Sequence, residues 1–293
     1  MHKGRIIKSL SGFYSVKSED ETYECKGRGV FRKRKITPLV GDLVSFELDE
    51  NKEGYIKEIE PRINELVRPP IANVNQAIVV SSAKEPNFNP KLLDRFLVLI
   101  ESIGIQPIIL ITKVDLLSQE ELHKLKQFQG DYQQAGYDIH LVSIKNSDDA
   151  RIILEYLSNQ ITVIAGQSGV GKTSLLNMLS PSLDLKTGNI SSSLGRGKHT
   201  TRHVELLNIN GGLVADTPGF SSLDFNNIEQ EELTNYFPEM KSIKNQCKFR
   251  GCVHDKEPGC AVKLAVNESE IANYRYEHYL EFLSEIQSRK PRY

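Results

Sequence analysis

Eight consecutive residues, Gly166-Gln167-Ser168-Gly169-Val170-Gly171-Lys172-Thr173, satisfy the pattern G-x-x-x-x-G-K-[ST]. That pattern is suited to gripping a polyphosphate. Its glycines let backbone N–H groups wrap the phosphates, and the helix expected from Ser174 onward adds the positive end of its dipole. Lys172 is the residue to reach the β- and γ-phosphates, and the Thr173 hydroxyl is the candidate Mg²⁺ ligand. Further on, Asp216-Thr217-Pro218-Gly219 offers a carboxylate for a water-mediated Mg²⁺ contact and, at Gly219, an N–H that can sense the γ-phosphate. Thr112-Lys113-Val114-Asp115 is the candidate base reader. The Asp115 carboxylate can accept from guanine N1–H and N2–H₂ together, a donor pair that adenine lacks, and Lys113 can lay its stem along the base. In an ordinary GTPase the base-reading motif follows the phosphate loop, whereas here it precedes it. The order predicts a circularly permuted GTPase whose tail, behind Asp216, is coupled directly to the nucleotide switch.

The catalytic residues are less complete than the binding ones. Thr112 stands where Asn is usual; it keeps a hydroxyl but loses the amide, which predicts modest nucleotide affinity. Ser143-Ile144-Lys145 is a candidate backbone contact to the base. Leu194-Gly195-Arg196-Gly197-Lys198-His199-Thr200-Thr201-Arg202 has the position and composition of the first switch, with Thr200 or Thr201 to close on Mg²⁺. The residue after Gly219 is Phe220, whose phenyl ring cannot orient a water by hydrogen bonding. Intrinsic hydrolysis is then slow, or another group orients the water. His199 is the local candidate, and an RNA-contacting or solvated loop histidine is the competing reading. The phosphate loop alone would also suit an ATPase or a kinase; Asp115 argues against both.

A second constellation lies near the C-terminus. Cys247-x₄-Cys252-x-His254-x₅-Cys260 places three thiols and an imidazole within fourteen positions. That ligand set matches a closed tetrahedral Zn²⁺ site, which leaves no open position and is therefore structural. The spacing is not a common finger pattern, and chance clustering of free cysteines is the alternative. The fourth cysteine, Cys25, reads as a buried apolar residue.

The elements that must position these groups follow from periodicity. Residues 1–62 read as short strands with glycine corners: 5–10 and 13–16 around Ser11-Gly12, then 42–48 and 54–59, both alternating in period two. They predict a small OB-type barrel. Its first 35 positions hold ten basic side chains (Lys3, Arg5, Lys8, Lys17, Lys26, Arg28, Arg32, Lys33, Arg34, Lys35) against four acidic ones, Glu19, Asp20, Glu21 and Glu24. Such a face can attract a phosphate backbone, with Phe13, Tyr14, Tyr23 and Phe31 as possible stacking residues; a solvated basic face with these rings in the barrel core is the bland reading. Residues 63–225 alternate strands (76–82, 107–111, 139–143, 161–165) with helices (91–103, 120–135, 148–158), the pattern of a mostly parallel sheet that binds ligands at its carboxyl ends. Residues 226–293 predict a helical domain around the cysteines, with a last helix over 269–288. In all, 293 residues with 39% apolar side chains and net charge −1 suit a folded multidomain α/β protein. No apolar run reaches the roughly 20 residues needed to span a bilayer. No hydrophobic segment follows the basic start, so the expected location is cytoplasmic.

Taken together, the basic barrel, the early Thr112-Lys113-Val114-Asp115, the Gly195-to-Arg202 segment and the Cys247/Cys252/His254/Cys260 cluster resemble the RsgA family, also called YjeQ or YloQ. The resemblance covers essentially the whole chain. It implies an N-terminal OB fold, a permuted GTPase domain and a zinc-binding C-terminal domain. It also implies hydrolysis of GTP to GDP and phosphate, stimulated by the small (30S) ribosomal subunit. The implied role is late maturation of that particle through 16S rRNA contacts, carried out by a monomer with no membrane partner. Phe220 matches the family's apolar replacement of the catalytic Gln; Thr112 departs from its commoner Asn. The competing reading is an RNA-binding assembly factor whose nucleotide only sets affinity.

Overall fold

A computed structural model describes residues 1–27, 31, 36–67, 69–184, 204–215 and 223–289. In chain order the elements begin with strands β1 (His2–Leu10), β2 (Phe13–Ser18), β3 (Glu21–Gly27), β4 (Leu43–Leu48) and β5 (Gly54–Ile59). A short pair follows, β6 (Glu65–Leu66) and β7 (Ile71–Ala72), then β8 (Gln76–Ser82), helix α1 (Pro90–Glu101), β9 (Gln106–Thr112), α2 (Gln119–Gln134) and β10 (Asp138–Leu141). Next come α3 (Ser147–Leu157), β11 (Ile161–Ala165), α4 (Lys172–Leu179) and the hairpin β12 (Val204–Ile209) and β13 (Gly212–Ala215). The C-terminal helices are α5 (Pro238–Ile243), α6 (Ala261–Asn267) and α7 (Asn273–Gln287). The chain divides into two compact units. One comprises Met1–Ile78, Ile144–Ala165 and Gly171–Ser221, the other Val79–Ser143, Gly166–Val170 and Ser222–Tyr293. Among the described residues no helix is long and apolar enough to cross a membrane.

In the first unit β1 pairs antiparallel with β2 along one half and with β4 along the other, while β2 pairs with β3, β3 runs parallel to β5, and β5 pairs with β4. This ring closes a five-stranded barrel with no free edge among these strands. Ile6, Val16, Cys25, Val44, Phe46 and Ile56 alternate inward and are fully buried. Burial pushes the Cys25 thiol up to about 12, so it behaves as a small apolar residue. Strand β3 escapes the sequence pattern because it opens on Glu21 and its inward Tyr23 and Cys25 are interleaved with Thr22, Glu24 and Lys26, and its identity is decided by pairing with β2. Of the four candidate stacking rings, Tyr14 and Phe31 are buried and Phe13 is exposed, with the Lys26 ammonium 5.7 Å from its centroid. The barrel continues into the hairpin through β1, which pairs antiparallel with β12 at Lys8↔Glu205 and Ser9↔Val204. Parallel pairing of β11 with β13 then brings in the strand that enters the phosphate loop.

In the second unit β10 runs parallel to β9; β9 is a nearly continuous apolar run, as a strand buried on two faces must be, while β10 is a short edge strand with only Ile139 buried. The helices start where capping side chains allow: Asn89 accepts from Leu92 N ahead of Pro90 in α1, and Ser118 with Glu121 forms a capping box on α2. The C-terminal helices share this unit. Helix α7 lies on α1 through ion pairs of Lys91 with Glu281, Asp94 with Arg275 and Arg95 with Glu285, and through a 2.6 Å hydrogen bond between His278 Nδ1 and Asp94. Arg275 is 1% exposed and also donates to Glu239 of α5 at 2.7 and 2.9 Å. Burial alone would lower its pKa; Asp94 and Glu239 more than reverse this, so the guanidinium stays charged. Removing water from an ion costs several kcal/mol, which is why this arginine has two carboxylate partners. The final helix begins at Asn273, later than the apolar pattern suggests. Ser269 takes a left-handed conformation (φ 60°), and Glu270 and Ile271 both donate to the Ala265 carbonyl, so the chain closes α6 before α7 opens.

Candidate functional site

The base-reading motif sits at the C-terminal end of β9, where a parallel strand leaves its last groups beyond the sheet. Thr112 is 1% exposed. Its hydroxyl lies 2.6 Å from the Val170 carbonyl in the phosphate loop and 3.1 Å from the Ser81 carbonyl at the end of β8. One hydroxyl proton serves one acceptor at a time, and the shorter contact is with the loop. Thr112 therefore fastens the base-reading strand to the phosphate loop with the group it kept, and needs no amide to do so. Lys113 is left-handed (φ 61°) and turns its ammonium onto the carbonyls of Gly169, at 2.8 Å, and Glu85. Its stem is thus held in one place rather than left to wave in solvent. Val114 and Asp115 open a single 3₁₀ turn, Val114–Leu116. The Asp115 carboxylate is exposed and accepts from the Ser143 hydroxyl at 2.9 Å. Ser143 is buried just past β10, whose pairing with β9 extends to Val142 N and Ile111 O. The sequence pointed to the Ser143 segment only for its backbone. Its hydroxyl as a partner of Asp115 was missed, because the contact depends on strand pairing.

Within the same unit, Gly166 to Val170 form the first part of the phosphate loop. Gly166 has φ 133°, and a Cβ there would lie 2.2 Å from the Val80 carbonyl, so only glycine fits. Gln167 is half-buried, and Ser168 and Gly169 are exposed. The loop then turns through Gly171, at φ 94°, which caps α4. Lys172, Thr173 and Ser174 form the first turn of that helix, where backbone N–H groups have no partners within the helix. Burial lowers the pKa of Lys172, which an anionic phosphate would offset. The remaining nucleotide candidates, Asp216, Gly219, His199, Thr200 and Thr201, lie outside the described residues, as does Phe220.

The cysteine–histidine cluster converges. The four ligand atoms of Cys247, Cys252, His254 and Cys260 lie within 4.8 Å of one another. His254 Nδ1 faces Cys260 Sγ at 3.3 Å and Cys247 Sγ at 3.6 Å, and the two sulfurs are 3.9 Å apart. Zn–S and Zn–N bonds of about 2.3 and 2.1 Å give tetrahedral edges of roughly 3.5–3.8 Å, so the spacing suits one such ion. The loop is braced from outside. Glu257 accepts from Val253 N and Asp255 N at 2.7 and 3.0 Å, while from α7 Tyr276 donates to the His254 carbonyl and Tyr279 to the Val253 carbonyl. Burial pushes the Cys252 thiol up to about 12, raises Cys260 and lowers His254. A divalent cation reverses the penalty on the thiolates and takes the neutral imidazole as a ligand.

A permuted order of motifs, a barrel ahead of them and a Cys₃His cluster behind them define a circularly permuted GTPase. Comparison with known proteins narrows the class. Residues 59–226 match the RsgA GTPase family and residues 3–56 the RsgA N-terminal domain. The chain is 62% identical to the small ribosomal subunit biogenesis GTPase RsgA 2 of Oceanobacillus iheyensis, over 100% of both chains. It is 56% identical to RsgA of Bacillus subtilis, again over 100% of both. Among solved structures, YloQ, described as a circularly permuted GTPase, superposes with a TM-score of 0.88 at 52% identity, covering 100% of this chain and 97% of that one. YjeQ from Thermotoga maritima also gives 0.88, at 38% identity and 99% coverage of each. The chain belongs to the RsgA GTPase family and is a GTP-hydrolysing enzyme.

Proposed function

We propose that this protein hydrolyses GTP on the small (30S) ribosomal subunit and acts in its late maturation. The observation that carries this reading is full-length identity of 62% to a small ribosomal subunit biogenesis GTPase. In this reading, residues 1–62 form the barrel that meets 16S rRNA, 63–225 the permuted GTPase domain and 226–293 the zinc-binding domain. The protein works as a cytoplasmic monomer.

Asp115, positioned by Ser143, accepts from guanine, while Thr112, Lys113 and Val114 complete the base-reading turn. Gly166, Gln167, Ser168, Gly169, Val170, Gly171 and Ser174 offer backbone donors to the phosphates, and Lys172 neutralises charge that builds on them. Thr173 and Asp216 would hold Mg²⁺, which would supply electrostatic stabilisation of the phosphate charge. A water oxygen attacks the γ-phosphorus and the bond to the β–γ bridging oxygen breaks, giving GDP and phosphate. His199 orients that water where Phe220 cannot, and the Gly219 N–H senses the γ-phosphate. Cys247, Cys252, His254 and Cys260 would hold one structural Zn²⁺, supported by the convergence of their ligand atoms within 4.8 Å.

The deciding experiment is GTP turnover by the purified protein with and without small subunits, at matched Mg²⁺ and salt. Strong stimulation is expected, because the particle would complete an active site in which Phe220 cannot orient the water. Unchanged turnover with subunit binding intact would instead mean that nucleotide only sets affinity for the particle.

A further inference from the structure

The Lys113 ammonium rests on two carbonyls, that of Gly169 in the phosphate loop and that of Glu85 in the chain between β8 and α1. Glu85 (φ 55°) and Lys113 (φ 61°) are both left-handed without being glycine, a conformation that persists only where the surroundings enforce it. Part of that enforcement is local. Ala83 N donates to the Thr112 carbonyl at 2.9 Å, and the Ser82 hydroxyl donates to the Lys84 carbonyl at 2.6 Å. Close packing does not supply the rest. A cavity of about 280 Å³ lies between this segment and the start of α2, lined by Ala83, Lys84 and Phe88 on one side and by Leu117, Glu121 and Leu125 on the other. It is bridged by Phe88, whose ring meets Phe128 edge-on with centroids 5.3 Å apart, and by the Lys84 ammonium, which meets both carboxylate oxygens of Glu121 at 3.0 and 3.3 Å. Glu121 is itself fixed, because it closes the capping box on α2 with Ser118.

We propose that Lys84 is a positioning residue for guanine nucleotide binding: its ion pair with Glu121 holds residues 83–86 against the capped start of α2 and so fixes the Glu85 carbonyl on which Lys113 is seated. The inference rests on the reading of Lys113 and Asp115 as the base-reading pair. Without the ion pair the Glu85 carbonyl moves with its segment, and the Lys113 stem loses one of the two groups that hold it in place for the base. Asp115 is left alone, since its support comes from Ser143 past β10. Lys84 therefore acts through Lys113 and not by touching the nucleotide. The Ser118 N–H and the Lys84 ammonium hold the Glu121 carboxyl down at about 2, so the pair is charged on both sides at neutral pH. It is half-exposed, with 37% of the Lys84 side chain and 45% of that of Glu121 open to water, so its effect is modest and screened by salt.

The test is equilibrium binding of GDP and GTP, together with steady-state GTP turnover, for wild type, Lys84→Ala, Lys84→Arg, Lys113→Ala and the Lys84→Ala/Lys113→Ala double variant, each checked for folding by thermal melting. Lys84→Ala should weaken GDP and GTP alike by roughly threefold to fivefold, the upper range for a half-exposed ion pair. KM should rise by the same factor with kcat within about twofold, as loss of binding common to the ground and transition states requires. Lys84→Arg, which keeps the charge, should return affinity to within about twofold of wild type. Lys113→Ala should weaken binding by roughly tenfold, and in its background Lys84→Ala should add nothing further, because the route through Lys113 is gone. Wild-type affinity in Lys84→Ala, with Lys113→Ala weakened, would overturn the proposal alone. Full additivity in the double variant would also overturn it, since Lys84 would then act by another route. A lower kcat at unchanged KM, with a lower melting temperature, would mean that the pair only stabilises the fold, and would overturn it too. Wild-type affinity in Lys113→Ala would overturn the reading of the base-reading turn and the proposal with it. Should Lys84→Ala not fold, Glu121→Gln removes the charge and keeps the capping box, which Gln also forms; affinity weakened by a similar factor would support the proposal, and wild-type affinity would overturn it.

Discussion

The base-reading corner and the cysteine–histidine cluster both gather polar side chains from irregular chain, but they meet their electrostatic needs differently. At the corner, Thr112 and Lys113 are hydrogen-bonded to main-chain carbonyls, Ser143 supports Asp115, and Asp115 faces solvent. Nothing there depends on a ligand for its folding. In the cluster, burial works against ionised thiols at Cys252 and Cys260, and the groups face one another. In the proposed reading a cation would take the thiolates and tie this segment together, so the cluster would contribute to folding and the corner to selectivity.

The strongest way to break this contrast is to remove metal. Chelation at neutral pH should unfold residues 247–260, seen as lost hydrogen-exchange protection, because structural Zn²⁺ contributes on the order of 10 kcal/mol. Guanine nucleotide binding should persist; its loss in parallel would mean that the corner also depends on the cluster. Next is Lys172→Ala, which should cut turnover by roughly 10²–10³-fold with the melting temperature little changed, as for other charge-stabilising groups. Hydrolysis at the wild-type rate by this variant would remove the phosphate loop from the site. Asp115→Asn should weaken GTP binding by roughly 10- to 100-fold, the worth of one charge-assisted hydrogen bond, and shift preference toward xanthine nucleotides. Unchanged selectivity in a competition assay would contradict the role of Asp115. The smallest effect belongs to Thr112→Val, which deprives the Val170 and Ser81 carbonyls of their donor. About 1 kcal/mol, or roughly fivefold in nucleotide affinity, should be lost and then recovered in Thr112→Ser. Equal affinity for Val and Ser would mean that the hydroxyl does not hold the loop.

Much of the nucleotide corner was legible because its signals are local. The phosphate loop is one uninterrupted string, the apolar run entering it, 161–165, is β11, and the run leading to Thr112, 107–111, lies within β9. The partner of Asp115 was not, since Ser143 is 28 positions away and reaches it only through parallel pairing of β9 and β10. Strand β3 was missed for the same reason: its charged residues hide an alternation that pairing with β2 makes plain. The end of the chain read as one helix because amphipathic periodicity persists across 269–272, where a left-handed Ser269 breaks it.

The sequence by itself determined the candidate groups and their order: a phosphate-loop pattern preceded by a candidate base reader, and three cysteines with a histidine within fourteen positions. These depend on residue type within a few positions, which the chain states directly. Only the tertiary structure decided what those groups lean on. Thr112 meets Val170 across 58 positions, Arg95 meets Glu285 across 190, and Arg275 is buried against Asp94 across 181. Such contacts follow from which strands pair and which helices pack, and no local pattern encodes the partner of a single buried charge.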